Sequence, residues 1–130
     1  MVEQGPRRRR SWAKKFRDAF RGLGVGVRGQ SSFRVHFFFA AAVIVCAAVM
    51  RMPRVEWCVL LVCIALVLAA ELFNSALELL AKAITDEQDP RLADALDIGS
   101  AAVLVASLGA ALVGSILFLH RLGVLLGWWA

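Results

Sequence analysis

The chain has 130 residues, of which 60% are hydrophobic, with a mean hydropathy of +0.70 and a formal charge of +5. A water-soluble domain of this size has too little interior to hide so much apolar surface, so the bilayer must be part of its solvent. Three spans of roughly 20 residues would use nearly half the chain, which leaves no room for a separate soluble domain.

Residues 1–10 are polar and arginine-rich without periodicity and read as a basic, disordered tail, leaving 11–130 as a single membrane domain. Arg7, Arg8, Arg9, Arg10, Lys14, Lys15, Arg17, Arg21, Arg28 and Arg34 all precede the first long apolar run. Beside membrane spans such a bias predicts a cytoplasmic amino terminus in contact with anionic lipid headgroups, not a nucleic-acid patch. From Ser11 the pattern changes. Trp12, Phe16, Ala19, Phe20 and Leu23 recur at helical spacing against Lys14, Lys15, Arg17, Asp18 and Arg21, which predicts an amphipathic surface helix over 11–28. Ser11 is placed to cap it, and Gly22, Gly24 and Gly26 to end it. No strand precedes these glycines and no Lys-Ser or Lys-Thr pair follows, so they are not a phosphate loop.

The first span is expected over about 34–52, flanked by Arg34 and His36 at one end and Arg51 at the other, with Pro53 breaking the helix. His36 reads there as an interfacial anchor. The second span runs over about 56–84, followed by the charged loop TDEQDP, and the third over about 95–120. With the amino terminus inside, Trp57, Trp128 and Trp129 belong to the outer interface. Cys46, Cys58 and Cys63 lie in apolar runs without a C-x-x-C pair and read as small apolar fillers. Ala102, Ala106, Ala110 and Gly114 form a seam of small residues that suits either packing within one subunit or a subunit interface.

Chemistry concentrates on the second span. A carboxylate at membrane depth is costly and persists mainly where it faces protein or a polar cavity. At 100° per residue Glu71, Asn74 and Glu78 fall within an arc of about 60°, so they can line one cavity. Counted from Glu56, Glu71 lies about 22 Å along a core of about 30 Å, a little beneath the inner headgroups. That depth suits a base acting on a lipid hydroxyl, while Glu78, about 10 Å further along, reaches toward the cytoplasm. A purely structural pair of acids, tied to Arg34 or Lys82, is the alternative. Asp94 and Asp97 stand at the predicted start of the third span, where Asp97 would serve either the site or an amino-terminal helix cap.

The segment AELFNSALE, followed after an acidic loop by DALDIGSAAVL, resembles the signature of the prokaryotic integral-membrane diacylglycerol kinase family, which includes undecaprenol kinases. The similarity extends upstream to FRDAFRGL and SFRVH. Glu71, Asn74, Ser75 and Glu78 fall on the family's E-x-x-N-S/T-A-x-E core and Asp97 on the aspartate of its A-K-D element. The resemblance implies an all-α homotrimer of three-span subunits with an amphipathic surface helix, in the prokaryotic inner membrane, with active sites shared between subunits. It implies transfer of phosphate from ATP, with Mg2+, to a lipid alcohol of the diacylglycerol or undecaprenol class. On this footing Glu71 is the general base, Asn74 helps to orient it and the phosphate, Ser75 is a substrate or nucleotide contact, and Glu78 binds the metal. Asp97, Lys82 and Arg34 are grouped with the substrate and nucleotide contacts.

Three positions depart from the family pattern. A glutamate that shares the metal site is replaced by Gln30, whose amide oxygen can still ligate magnesium without charge. Leu96 replaces the lysine of A-K-D, and Lys82 stands where an acid is frequent and would supply the charge lost at Leu96. A catalytically impaired or regulatory protein of the same fold is therefore the rival expectation. A proton-coupled exporter built on Glu71 would leave Asn74, Glu78 and Asp97 unexplained.

Overall fold

A computed structural model describes residues 11–129 apart from Gln30, Asp86 and Gln88, so the expectations for residues 1–10 and for Gln30 lie outside the described residues. Four helices follow one another: α1 (Trp12–Gly29), α2 (Ser31–Val49), α3 (Arg54–Ile84) and α4 (Pro90–Leu125). The last three are long and apolar enough to cross a membrane, and no strand occurs among the described residues. At 1.5 Å per residue α3 and α4 are about 46 and 54 Å long, so both outrun a hydrocarbon core of about 30 Å. Long apolar side chains such as Phe38, Phe73, Val105 and Leu112 are exposed along these helices. Exposure on that scale requires lipid or further copies of the chain as surroundings.

Helix α1 is capped as its sequence predicts, with the Lys14 amide donating to Ser11 Oγ at 3.4 Å. It does not stop at its first glycines. It continues to Gly29, and Gly26 is buried where α1 crosses α3. A Cβ at Gly26 would stand 2.7 Å from Leu72 Cδ2, so this glycine serves close approach, not termination. Lys14, Asp18, Arg21 and Val25 line a cleft against Leu72 and Ser75 of α3, while Trp12, Phe16 and Phe20 are exposed.

Helix α2 begins at Ser31, three residues before the expected boundary, and closes with a Schellman turn. The Met52 amide donates to Ala47 O at 3.0 Å and the Arg51 amide to Ala48 O at 3.1 Å, with Arg51 at φ 50° in the left-handed position. Met52 packs on Ala47 and Leu60, with Trp57, Leu117 and Phe118 around them. Arg121 of α4 completes this end: its Nε donates to Met50 O and its Nη2 to Arg51 O, both at 2.9 Å.

The fourth helix also starts earlier than expected. Asp89 is its N-cap, accepting from the Arg91 amide at 2.8 Å, and Pro90 takes the first helical position, where a missing N–H costs nothing. Asp97 is thus two turns inside α4 and caps nothing, which corrects the cap reading. The helix runs on to Leu125, past the expected end at residue 120. The broadest helix contact is between α3 and α4, where Gly99 and Gly114 are buried and Ala106 and Ala110 half-buried. Ala102 of the small-residue seam is exposed, and a Cβ at Gly114 would meet nothing within 4 Å, so the seam is only partly used for packing within the chain.

Candidate active site

Three of the predicted residues, Glu71, Asn74 and Ser75, are the buried polar side chains among the described residues, at 2%, 7% and 2% exposure. They follow from a single helix turn. Taking Glu71 as the zero of angle, Glu78 and Asn74 lie to one side and Ser75 to the other, so the set fans across the faces that α3 turns to its three neighbours.

Glu71 faces α2, where its Oε2 stands 3.6 Å from His36 Nε2. This partner was not among the expected ones, Arg34 and Lys82; both of those are exposed. Arg34 lies about 200° around α2 from His36, and so on the side away from Glu71.

Asn74 faces α4. Its Nδ2 donates to Glu78 Oε1 at 3.2 Å, which ties two of the predicted residues together. Its Oδ1 is buried without a hydrogen-bond partner and abuts Gly99, where a Cβ would stand 2.6 Å away. Any larger residue at 99 would displace the amide. Gly99 is a site-supporting residue that the sequence signalled only as part of the DIGSAA run.

Ser75 faces α1 and donates its hydroxyl back to Glu71 O at 2.9 Å, so its proton is committed to the helix and only its lone pairs remain for a ligand. The cleft between α1 and α3, about 580 Å³, has Ser75 in its wall and Lys14 and Arg21 opposite. Asp97 is exposed and does not join the buried set within one chain; Leu96 before it is half-buried. Lys82, one turn past Glu78, projects outward. The structure therefore brings together Glu71, Asn74, Ser75 and Glu78, and leaves Arg34, Lys82 and Asp97 at the surface.

An apolar groove of about 750 Å³ opens between α2 and α4 over a floor of α3. It runs from Val35 and His36 at the site end to Phe118 and Leu119 near the other. The site thus couples a buried carboxylate and amide, within membrane-spanning helices, to a groove of hydrocarbon character.

That combination defines an integral membrane protein with a polar centre inside its helix bundle, and comparison with known proteins gives it a family. The family profile of prokaryotic diacylglycerol kinase matches residues 17–118. An undecaprenol kinase from Bacillus subtilis is 30% identical over 109 residues, covering 84% of this chain and 89% of that protein. A diacylglycerol kinase from Synechocystis sp. is 34% identical over 108 residues, covering 82% of this chain and 62% of that longer protein. The chain belongs to the prokaryotic diacylglycerol kinase family, a family of lipid kinases.

Proposed function

We propose that the protein transfers the γ-phosphate of ATP to the hydroxyl of a membrane lipid alcohol, of the diacylglycerol or undecaprenol class, at the cytoplasmic face of a prokaryotic inner membrane. The observation that carries this reading is the buried Glu71 beside the end of the apolar groove, with Glu78 and Asn74 hydrogen-bonded one to two turns further along α3. A lipid lying in the groove brings its hydroxyl to Glu71. As the hydroxyl oxygen forms its bond to the γ-phosphorus and the bond to the β-phosphate oxygen breaks, Glu71 takes the hydroxyl proton and ADP departs. Lys14 and Arg21, across the α1–α3 cleft, supply positive charge for the nucleotide's phosphates.

The donor set fits magnesium. The Glu78 carboxylate is a hard oxygen ligand, and Asn74, whose amide nitrogen donates to Glu78 while its Oδ1 faces Gly99, orients that carboxylate without ligating. Such a site suits an ion that keeps waters and phosphate oxygens in its shell. Glu78 would hold it, with Gln30 as the resemblance implies, and when bound it would neutralise charge on the phosphates.

Asp97 is exposed and outside its own chain's buried set, which fits its use by a neighbouring subunit in a homotrimer whose active sites are shared. Helix α1, with Trp12, Phe16 and Phe20 exposed on one side, fits the headgroup layer, and the basic amino terminus fits anionic lipid on the cytoplasmic side.

The test is incubation of purified protein in vesicles with MgATP labelled at the γ-phosphate and a panel of lipid alcohols. Label in a lipid product from the wild type, and none from Glu71→Gln at unchanged assembly, supports the reading. No labelled lipid under any condition points to the regulatory alternative that Gln30 and Leu96 suggest.

A further inference from the structure

Glu71 is 2% exposed, and a carboxylate held that deep cannot be oriented by bulk water. Something in the protein must aim it. Among the described residues the one basic side chain within 4.0 Å of its carboxylate is His36, from a different helix and 35 positions away in the chain. The imidazole is half-buried, its side chain 19% exposed, and Phe33, one turn earlier on α2, is 1% exposed. The backbone that carries His36 is thus anchored where α2 meets the rest of the protein. His36 also lines the apolar groove, so the pair stands where a lipid chain in that groove would present its hydroxyl.

We propose that His36 is a positioning residue for Glu71: its Nε2–H holds one carboxylate oxygen, leaving the other aimed at the lipid hydroxyl. This rests on the reading of Glu71 as the base. The separation of 3.6 Å is longer than a made hydrogen bond, and catalytic hydrogen bonds are often long before the reacting groups bind. The residue type suits the task. An imidazole N–H can donate one hydrogen bond to a single carboxylate oxygen and leave the other free. His36 acts through Glu71 and takes no proton from substrate.

Three variants in reconstituted vesicles decide the matter. His36→Leu keeps bulk without a donor, and His36→Gln keeps an N–H near the position of Nε2. Glu71→Gln is the reference. Expected are a fall in kcat of about 10- to 100-fold for His36→Leu, a KM for ATP within about 3-fold of wild type, and recovery of most of the rate in His36→Gln. Wild-type kcat in His36→Leu, or a His36→Gln as slow as His36→Leu, overturns the proposal and leaves His36 as groove packing. If His36→Leu does not assemble, His36→Phe, a flat ring without the donor, is held to the same thresholds. A wild type without activity, or an active Glu71→Gln, overturns the base reading and this proposal with it. When the wild type is active and Glu71→Gln is not, the base reading stands and the His36 variants alone decide between positioning and packing.

Discussion

At the Arg51 end of the bundle, the turn after α2 is closed by two backbone hydrogen bonds, and Arg121 reaches across from α4 to two further carbonyls. At the Glu71 end, α2 meets α3 through a 3.6 Å pair, and the buried Asn74 Oδ1 has no hydrogen-bond partner. The first end uses its polar groups for backbone closure and packs Ala47, Met52 and Leu60 into a small core. One buried oxygen of Glu56 is left over there, in the first turn of α3, where the helix dipole favours a negative charge. The second end keeps side-chain polarity buried and incompletely satisfied. Burying such groups is expensive unless a ligand completes them, so the contrast fits a structural end and, on the proposed function, a chemical one.

Substitutions at the two ends should therefore fail in different ways. Glu71→Gln should lower turnover by roughly 100- to 10,000-fold while the unfolding temperature in detergent stays at the wild-type value. A large loss of stability instead would make Glu71 a structural residue and erase the contrast. Arg121→Leu should do the reverse, removing two charge-assisted hydrogen bonds at a cost of about 2–3 kcal/mol, read from chemical unfolding, with KM for ATP unchanged.

Gly99→Ala tests the border between the two behaviours, because its methyl would meet Asn74 Oδ1 at 2.6 Å and push the amide away from Glu78. We expect a cost of about 1–3 kcal/mol together with a kcat loss near 10-fold, so both readouts move. The smallest effect belongs to Arg51→Gly, which relieves a left-handed residue at φ 50° and should stabilise the protein by about 1 kcal/mol in chemical unfolding without touching activity.

What the sequence discloses and what it hides follow from range. The three spans are legible because an apolar run of bilayer length has few other meanings, and the arc of Glu71, Asn74 and Glu78 because helical periodicity is local. The start of α4 is written locally too, in the Asp89–Pro90 cap and first-turn pair, but the surrounding charged residues read as loop and move the expected boundary to residue 95. Gly26 reads as a stop signal in the sequence, since nothing in α1 reveals that Leu72 will lie against it. His36 and Gly99 cannot be found by spacing at all. Each acquires its meaning from a residue on another helix, Glu71 for one and Asn74 for the other.

The Arg121 clasp has a mechanical consequence for the distant pair. It pins the carboxyl end of α2 at Met50, and His36 lies 14 residues back along the same rod, a lever arm of roughly 21 Å. Pivoting α2 about that pin by about 5° swings the imidazole by roughly 2 Å, enough to seat it on Glu71 or lift it off. Spanning helices adjust their inclination to the thickness of the host membrane. The catalytic rate should therefore follow the acyl length of the surrounding lipid even when the lipid being phosphorylated is held constant.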